Sequence, residues 1–577
     1  MNFLDEYQKW LKSDIADDNT KKELTSIENN LEEIKERFSK HLEFGTGGLR
    51  GIIGAGTNRM NKYVVQRATQ GIANYICLHA QQDGKKRGVA IAYDCRHFSD
   101  EFAFEAASVL VANGINAFLF ESLRPTPELS FAVRHLGCIA GINITASHNP
   151  ANYNGYKVYW EDGGQIPPIV SDSMLEMINK VEMFSPKVLD KEWVFKSGLL
   201  TTIGEDVDSA YLKAVSQQTI NKAAEGCSKD YKLVYTPLHG AGNILVRKAL
   251  KNAGFNNVFV VPEQELPNGA FPTVHSPNPE EKDSFELAIS LAKKKEADLI
   301  IGTDPDGDRV GVVVRDNNGE YAALSGNQVG ALLTHYILTE RKANGILPKN
   351  AAIISTIVST KMVDAICKQL DVKLFKTLTG FKFFGELILS FERTNDYQFI
   401  FGFEESYGYL AGTHARDKDA VVASMLIAEM AAYYDKTGKT LFNMMGDLYE
   451  KYGVFAEKTI SITMEGIDGV AKMKNLMCKL RDNPPEGIGD FRVLAIRDYK
   501  KGVRYTPKKD ELNKLDLATS DVLYFELSDG IDIAVRPSGT EPKIKFYFLA
   551  EGQTHKKTNH LLENTINAVN NYLDGFI

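Results

Sequence analysis

The chain has 577 residues, of which 44% are hydrophobic and 25% are charged, and its formal net charge is −8. This length is too great for one hydrophobic core and suggests about four domains, with the composition of a soluble globular protein. The acidic balance argues against non-specific nucleic-acid binding, which needs a basic surface, but it allows local basic pockets for a phosphorylated small molecule.

Cysteine spacing and hydropathy further restrict the class of protein to which this chain can belong. The six cysteines form no Cys-x-x-Cys pair, so neither a zinc ribbon nor a disulfide framework is expected. The N-terminus is acidic and lacks a signal-peptide core. The longest apolar stretch, residues 421–434, is too short to span a bilayer and contains Glu429, so it predicts a buried helix. We expect a cytoplasmic protein with neither a membrane nor a nucleic-acid partner.

The predicted elements begin with helices and continue with alternating strands and helices. Residues 1–43 predict charged helices, because Leu31, Ile34 and Phe38 recur at helical spacing. Three apolar β-rich runs then each end in a polar loop and precede a helix-like segment. The strands are expected at 88–94, 232–240 and 351–359, and the helices at 100–113, 242–254 and 360–370. This alternation predicts parallel sheets in three similar α/β domains.

The C-terminal part has a different pattern. Residues 521–536 predict a hairpin around a Ser-Asp-Gly turn, residues 544–552 another strand and residues 555–573 a final helix. We therefore expect an α+β domain at this end. The predicted domain ranges are 1–203, 204–322, 323–450 and 451–577.

Ser147 lies in the segment TASHNPANYNG, residues 145–155, which follows the apolar run 138–144. Asn-Pro and Asn-Gly are turn signals, so Ser147 is expected where a buried strand ends and a loop begins. Ligands of open α/β sheets bind outside the carboxyl ends of the strands. The residues alone leave two interpretations, an ordinary turn serine or a nucleophile.

The loop DPDGDR carries Asp304, Asp306 and Asp308 between two apolar runs. Three uncompensated carboxylates on one tight loop would repel each other, whereas hard cations such as Mg²⁺ and Ca²⁺ bind such oxygens. An EF-hand does not fit, because Arg309 and Arg315 stand where that loop needs Gly and Glu. We predict a divalent metal site rather than a solvated acidic turn. Its open coordination positions would suit phosphoryl transfer.

Two further loops carry groups that are typical of phosphate binding. In RPSGTEPK, residues 536–543, Arg536 offers a planar fork to phosphate oxygens. Ser538, Gly539 and Thr540 can supply hydroxyl and backbone N–H groups, although a plain turn has the same composition. The glycine-rich loop FGTGGLRG, residues 44–51, follows a helix-like segment and does not fit the dinucleotide-binding pattern.

The segment FGFEESYGYLAGTHARDKDA, residues 401–420, places Glu404 and Glu405 after an apolar strand. Carboxylates accept hydrogen bonds from vicinal sugar hydroxyls, but a surface acidic loop is an equally ordinary interpretation of these residues. Arg416 and Lys418 add positive charge nearby.

Four of these motifs, in this order across nearly the whole chain, resemble those of the α-D-phosphohexomutase family of phosphoglucomutases and phosphomannomutases. TASHNP is similar to the family's phosphoserine loop, DPDGDR to its Mg²⁺ loop, GFEES to its sugar-specificity loop and RPSGTEPK to its phosphate-binding loop. The resemblance implies three α/β domains and a C-terminal α+β domain around a central cleft, with one motif from each.

The resemblance also implies a mechanism. Ser147 would carry a phosphoryl group and add an oxygen ligand to the Mg²⁺ that Asp304, Asp306 and Asp308 hold. The phosphoryl group would pass to the free hydroxyl of a phosphorylated sugar, and the other phosphate of the resulting bisphosphate would return to Ser147. A sugar bisphosphate such as glucose 1,6-bisphosphate would then act as activator.

Further roles follow from the same resemblance. Arg50 and Lys157 would contact the reacting region, and Lys157 or His148 would handle the hydroxyl proton. Consecutive side chains of an extended chain point apart, so we do not expect His148 to act directly on Ser147. Arg309 would neutralise the phosphoryl group. Sugar and phosphate would be bound by Thr379, Gly380, Glu404, Ser406, Lys418, Arg536, Ser538, Gly539 and Thr540.

The chain departs from the compact members of the family in two respects. Phe403 stands between Gly402 and the Glu pair, and the chain is extended at its N-terminus and around residues 160–205 and 480–520. It resembles the long branch, which includes phosphopentomutases. We expect interconversion of hexose 1-phosphate and hexose 6-phosphate, with glucose preferred. A mannose or pentose phosphate mutase, a metal-dependent sugar phosphatase and a non-catalytic sensor remain alternatives, and both monomer and dimer remain open.

Overall fold

The computed structural model describes residues 2–45, 48–221, 230–464, 469–537 and 543–573. The chain forms two compact units. The first unit comprises Met1–Leu324, Phe384–Asn395 and Tyr407–Gly438, and the second comprises Ser325–Phe383, Asp396–Ser406 and Lys439–Ile577. Among the described residues, no helix combines the length and the apolar character needed to cross a membrane.

The first unit begins with the helices α1 (Phe3–Lys12), α2 (Asp18–Ser26) and α3 (Leu31–Phe38). Each follows a side chain that accepts a hydrogen bond from a backbone N–H of its first turn, namely Asn2, Asp17 and Asn30. The buried ring of Trp10 packs edge-on against Phe38 and Tyr63, with centroids 5.8 and 5.5 Å away. The helical prediction for the N-terminal segment is confirmed.

A six-stranded sheet follows, in the order β1-β5-β4-β2-β3-β6. Its strands are β1 (Gly48–Ile52), β2 (Val89–Tyr93), β3 (Ala117–Phe120), β4 (Ala140–Ile144), β5 (Tyr153–Trp160) and β6 (Leu200–Ile203). Its helices are α4 (Lys62–His79), α5 (Gln81–Arg87), α6 (Ser99–Ala112), α7 (Thr126–His135), α8 (Pro168–Asn179) and α9 (Lys191–Lys196). Strands β2 and β4 are continuous apolar runs that lie parallel and almost completely buried, as expected for strands covered on both faces.

Strand β5 brings two predicted site residues next to the Ser147 loop. It runs antiparallel to β1 and β4, with Arg50 opposite Gly155 and Lys157 opposite Asn143. The loop that contains Ser147 joins β4 to β5. Arg50 and Lys157 therefore lie on strands at the edge where β4 ends.

The second sheet has the order β11-β10-β9-β7-β8. Its strands are β7 (Lys232–Thr236), β8 (Asn257–Val260), β9 (Leu299–Thr303), β10 (Val310–Arg315) and β11 (Tyr321–Leu324). The helices are α10 (Glu205–Ser216), α11 (Gly242–Asn252), α12 (Pro262–Glu265) and α13 (Glu286–Lys295), with a 3₁₀ turn at Lys282–Phe285. Because β9 and β10 pair antiparallel with Thr303 opposite Val310, the DPDGDR segment is the tight turn between them.

The second unit opens with a helix and three parallel strands in the order β13-β12-β14. Its elements are α14 (Gly326–Ala343), β12 (Ala351–Thr356), α15 (Met362–Leu370), β13 (Lys373–Thr377), the first residues of α16 (Phe381–Thr394), β14 (Gln398–Glu404) and α18 (Leu441–Tyr452). The rest of α16, with β15 (Gly408–Ala411) and α17 (Ala420–Asp435), belongs to the first unit. Helix α17 is buried over nearly its whole length, which confirms the prediction for residues 421–434.

The C-terminal part of the second unit is a largely antiparallel sheet in the order β16-β23-β22-β21-β18-β19-β20, with β17 paired to β18. Its elements are β16 (Val454–Thr463), α19 (Gly469–Asp482), β17 (Gly487–Ile488), β18 (Phe491–Asp498), β19 (Val503–Tyr505), β20 (Glu511–Lys514), β21 (Leu523–Leu527), a 3₁₀ turn (Ser528–Gly530), β22 (Ile531–Pro537), β23 (Lys543–Gly552) and α20 (His555–Leu573). The predicted hairpin, following strand and final helix are confirmed.

Candidate active site

Ser147 stands directly beyond β4 with a left-handed backbone, φ 52°. Its backbone N–H donates to Thr145 Oγ1 at 2.9 Å, and its buried hydroxyl donates to Asp304 Oδ2 at 2.9 Å. The Nδ1 atom of His148 lies 3.1 Å from the same hydroxyl oxygen. The expectation that His148 points away from Ser147 is wrong, because the backbone at Ser147 is left-handed rather than extended.

The surroundings of His148 favour its neutral form. Burial lowers its pKa well below the usual value, and the positive charges of Arg309 and Arg50 lower it further. Ser276 Oγ donates to the carbonyl oxygen of His148 at 3.0 Å, which fixes the peptide from the side of the second sheet. A neutral imidazole keeps one ring nitrogen without a proton, and that nitrogen can accept a proton during a reaction.

The three carboxylates of the β9–β10 turn are buried and converge. Each of Asp304, Asp306 and Asp308 offers an oxygen within 4.8 Å of the other two. Asp306 Oδ1 and Asp308 Oδ1 are buried without a hydrogen-bond partner among the described residues. Buried oxygens of this kind are costly unless something satisfies them, and three carboxylates match the ligand preference of a hard cation. The turn is therefore fit to hold a divalent metal.

The ionisation of these carboxylates is unequal. Burial and the neighbouring carboxylates raise the pKa of Asp304 well above its usual value. Burial would also raise the pKa of Asp306, but the adjacent Lys157 ammonium outweighs it and lowers that pKa. The protein's own cations thus compensate the turn incompletely, which again favours a bound cation.

Two lysines lie against the acidic turn. Lys157 Nζ is 2.6 Å from Asp306 Oδ2, and Lys418 Nζ is 3.1 Å from Asp308 Oδ2 and 2.8 Å from Asp417 Oδ1. Burial lowers the pKa of Lys157, but Asp306 and Asp308 outweigh it, so that the pKa is raised. The acidic turn therefore favours the protonated form of Lys157.

Arg50 and Arg309, which the sequence predicted as site residues, lie near the Ser147 loop and the acidic turn, whereas Arg416 has a different role. Arg50 donates to Asn149 Oδ1 at 3.1 Å, within the Ser147 loop. Arg309 lies 2.5 Å from Glu280. Arg416, by contrast, is buried and ion-paired with Glu392 at 2.5 Å, so it supports the fold around the Lys418 loop.

Sequence reasoning missed two residues of the first unit that hold the site in place. Thr126 Oγ1 donates to Asp306 Oδ2 at 2.9 Å and accepts from Asn143 at 2.7 Å. Asp417 accepts from Tyr159 at 2.8 Å and pairs with Lys418. Thr126 begins the helix after β3, at the same sheet edge as Ser147, and this position was the signal that could have identified it.

Residues from two loops of the second unit meet at the end of β14. Glu404 Oε1 accepts from the backbone N–H of Gly380 at 2.5 Å, which brings the loop of Thr379 and Gly380 to the carboxylate. Ser406 follows in the same turn, partly exposed. The preceding Phe403 points into the core, because its ring occupies the space where a Cβ on Gly330 would lie, 2.3 Å away. The departure at Phe403 is thus a packing feature.

Glu405 is a second, half-buried acidic residue beside Glu404. Its Oε2 accepts from Thr356 Oγ1 at 2.9 Å. Burial and the Glu404 charge raise the pKa of Glu405 to about 7. Thr356 was not among the predicted site residues, although it ends β12 at the edge where Glu404 ends β14.

Arg536 and the Glu pair both influence Tyr547 within the second unit. Arg536 hydrogen-bonds the side chain of Tyr547, whose pKa is raised by burial and by the charge of Glu405. Lys545, opposite Arg536 on β23, partly offsets the raised pKa of Glu405. The predicted phosphate-binding residues Ser538, Gly539 and Thr540 lie outside the described residues.

The structure therefore assembles the predicted site residues in two groups, each within one unit. The first unit holds Ser147, His148, Arg50, Lys157, Asp304, Asp306, Asp308, Arg309 and Lys418. The second unit holds Thr379, Gly380, Glu404, Ser406 and Arg536.

Comparison with known proteins identifies the family to which the chain belongs. Four models of one family match the chain: "Phosphoglucomutase/phosphomannomutase, alpha/beta/alpha domain I" at residues 41–184, domain II at 209–319, domain III at 325–452 and the C-terminal domain at 492–568. This chain belongs to the phosphoglucomutase/phosphomannomutase family. The resemblance that the motifs predicted and the expected fold class are both confirmed. The exact domain boundaries stay a prediction.

Curated relatives cover almost the same length. The chain is 38% identical to a phosphoglucomutase of Staphylococcus haemolyticus over 513 residues, 89% of this chain and 91% of the relative. It is 37% identical to a phosphoglucomutase of Staphylococcus aureus (strain MRSA252) over 543 residues, 93% and 94% of the two chains.

Solved structures share the fold. A putative phosphomannomutase of Thermus thermophilus matches with a TM-score of 0.67 at 21% identity, covering 92% of this chain and 99% of that one. Parafusin of Paramecium, a phosphoglucomutase, matches with a TM-score of 0.65 at 18% identity, covering 91% and 94%.

The raised pKa of Glu405 predicts a pH-dependent cost to stability. A carboxyl with a pKa of about 7 in the folded protein and 4.5 as its ordinary value binds more protons when folded. Its contribution to the free energy of unfolding therefore falls as pH rises from about 4.5 to 7 and stays low above that. We expect Glu405→Gln to raise that free energy increasingly up to pH 7, by at most about 3 kcal/mol.

Melting temperatures of wild type and Glu405→Gln between pH 5.5 and 8.5 test this expectation. The exposed Glu511→Gln is the matched control, and its difference from wild type should not change with pH. A constant difference for Glu405→Gln across the range would contradict the raised pKa.

Proposed function

We propose that the protein is a phosphosugar mutase that interconverts hexose 1-phosphate and hexose 6-phosphate, with glucose as the preferred sugar. One observation carries the proposal. The buried Ser147 hydroxyl contacts a carboxylate of a three-aspartate turn with unsatisfied oxygens, in a chain related to phosphoglucomutases over about nine-tenths of its length. A phosphoryl group carried by Ser147 would therefore lie beside a site suited to a cation.

In the proposed reaction, phosphorylated Ser147 donates its phosphoryl group to the free hydroxyl of the bound sugar phosphate. The bond between phosphorus and Ser147 Oγ breaks, a bond to the sugar oxygen forms and the hydroxyl proton leaves. The product is a bisphosphorylated sugar. After it turns over in the site, its other phosphoryl group returns to Ser147 Oγ, and the isomeric monophosphate departs with no net gain or loss of phosphate.

We propose that Asp304, Asp306, Asp308 and phosphorylated Ser147 hold Mg²⁺. The fit rests on the buried, unsatisfied oxygens of the turn and on the Ser147 hydroxyl 2.9 Å from Asp304. When bound, the ion would neutralise charge on the phosphoryl group.

Different side chains are proposed to accept the proton of the sugar hydroxyl and to stabilise the negative charge of the phosphoryl group. Neutral His148, whose Nδ1 lies 3.1 Å from Ser147 Oγ, accepts the proton of the sugar hydroxyl. In the second transfer it returns a proton to the sugar oxygen that leaves. Lys157 stays protonated and stabilises negative charge together with Lys418. Arg50 and Arg309 supply further fixed positive charge near the same loop.

The second unit would bind the parts of the substrate that do not react. Glu404 can accept hydrogen bonds from vicinal sugar hydroxyls, and the Gly380 loop holds its position. Thr379 and Ser406 border the same carboxylate and would add hydroxyl contacts. Arg536 offers a fork to the distant phosphate, together with Ser538, Gly539 and Thr540. A sugar bisphosphate such as glucose 1,6-bisphosphate is the proposed activator, because it can phosphorylate an idle Ser147.

We expect Ser147→Ala to reduce mutase turnover by about three orders of magnitude or more, because it removes the phosphoryl carrier. The measurement is conversion of glucose 1-phosphate to glucose 6-phosphate, with mass spectrometry of the Ser147 peptide. Ser171→Ala, at a buried serine elsewhere in the first unit, is the control and should retain turnover. Wild-type turnover in Ser147→Ala would reject the covalent mechanism, and release of inorganic phosphate without isomer would indicate a phosphatase.

The acidic turn predicts that Mg²⁺ stabilises the folded protein. At a concentration of Mg²⁺ about 100-fold above its Kd, a ligand that binds only the folded state adds about 2.7 kcal/mol to the free energy of unfolding. We expect Asp306→Asn and Asp308→Asn to lose most of this gain, measured as the Mg²⁺-dependent change in Tm. Glu429→Gln alters a buried carboxylate of α17 that accepts from the backbone N–H groups of Ile220 and Asn221, outside the turn, and this variant should keep the gain. Equal gains in all variants would place the metal elsewhere.

A further inference from the structure

A buried arginine lies behind the Ser147 loop, and the proposed mechanism does not use it. Arg96 is 3% exposed. Its guanidinium donates to the carbonyl oxygens of Ser147 at 2.6 Å, Pro150 at 2.8 Å and Tyr153 at 3.1 Å, and also to that of Asn149. One side chain thus binds four peptide groups of a single short loop.

The guanidinium is itself fixed on two sides. Asp94 Oδ2 lies 3.4 Å from Arg96 Nε, and Asp94 Oδ1 accepts from the Arg96 backbone N–H at 2.9 Å. The Phe271 ring, from the loop after α12, lies 5.0 Å from the guanidinium carbon. A cation held between a carboxylate and an aromatic ring keeps one orientation.

This arrangement fixes both peptide groups that flank the Ser147 side chain. Arg96 binds the Ser147 carbonyl, and Thr145 Oγ1 accepts from the Ser147 N–H at 2.9 Å while donating to Asp94 at 2.6 Å. The left-handed conformation of Ser147, φ 52°, is unfavourable for a residue with a Cβ and persists only where its surroundings impose it. Arg96, Asp94 and Thr145 supply that constraint.

The constraint also has an electrostatic consequence. The four carbonyl oxygens face Arg96, so the negative ends of these peptide dipoles lie on the side of the loop that the guanidinium occupies. No described peptide bond is cis, and the N–H groups that follow these carbonyls therefore point the opposite way. The backbone N–H groups of His148 and Ala151, which follow two of these carbonyls, therefore point away from the arginine. Such an orientation suits a loop that must carry a doubly charged phosphoryl group.

We propose that Arg96 is the positioning residue that aims the phosphoryl-carrying Ser147. It acts by binding the carbonyl oxygens of Ser147, Asn149, Pro150 and Tyr153, and it contacts neither the sugar nor the transferred group. The inference rests on the proposed phosphoserine function. It predicts that a change at Arg96 affects the transfer step more than substrate affinity, because misplacing a reacting atom by about 1 Å can cost about 100-fold in rate.

The test compares Arg96→Lys with Arg67→Lys. A lysine keeps the charge but cannot bind four carbonyl oxygens as a planar fork does. Arg67 is a similarly buried arginine of the first unit, and its Nε donates to the Val181 carbonyl at 2.9 Å, away from the Ser147 loop. Both variants are expected to lower Tm. Only Arg96→Lys is expected to lower kcat, by about 100-fold, with KM changed less than about threefold.

Two additional measurements separate positioning from folding. The ³¹P resonance of phosphorylated Ser147 should shift or broaden in Arg96→Lys and not in Arg67→Lys. Thr145→Val, which releases the Ser147 N–H, should reproduce the loss of kcat without a rise in KM, and it serves as the test if Arg96→Lys does not fold.

The outcomes distinguish the inference from the function on which it rests. The inference alone would be overturned under two conditions. The wild-type protein would be active and phosphorylated on Ser147, and folded Arg96→Lys or Thr145→Val would have an unimpaired kcat. An equal loss of kcat in Arg67→Lys would do the same, because it would show a general effect of stability. A wild-type protein without phosphoserine or mutase turnover would overturn the proposed function and the inference with it.

Discussion

The burial of three carboxylates on one tight turn is the constraint on which the rest of the first unit depends. Asp304, Asp306 and Asp308 lie out of water at mutual distances where like charges repel strongly. Two lysines, one from β5 and one from the loop before α17, partly compensate this negative charge. The hydroxyls of Thr126 and Ser147 donate hydrogen bonds to the same carboxylates. Two carboxylate oxygens still lack a hydrogen-bond partner among the described residues, which favours a bound cation.

Topology explains how distant segments reach this turn. In each sheet of the first unit, parallel strands end at one edge, and the polar loops that follow them collect there. Ser147 follows β4 and Asp304 follows β9, and their side chains meet at 2.9 Å although 157 residues separate them in sequence. The second unit repeats the principle on a smaller scale, since Thr356 and Glu404 end neighbouring parallel strands. The same arrangement thus gathers a group of charged side chains in one unit and brings Thr356 near the Glu404–Glu405 pair in the other.

The sequence predicted many of the strands and helices well because they depend on local pattern. Continuous apolar runs identified β2, β4 and β9, and the alternating aspartates identified the metal turn. The orientation of His148 was not predictable, because it follows from a left-handed φ at Ser147 that distant residues impose. Arg96 was missed for the same reason. Its partners lie 51 to 57 residues away, and nothing in its own neighbourhood distinguishes it from a surface arginine.

The central claim is that Ser147 hands its phosphoryl group to the sugar and receives another in return. The most direct measurement uses protein carrying ³²P on Ser147, mixed with unlabelled glucose 1-phosphate and Mg²⁺ and stopped within one turnover. The account predicts that the label leaves the protein first in glucose 1,6-bisphosphate and then in glucose 6-phosphate, with little inorganic phosphate. Label that stays on Ser147 while glucose 6-phosphate forms, or that appears as inorganic phosphate, would contradict it.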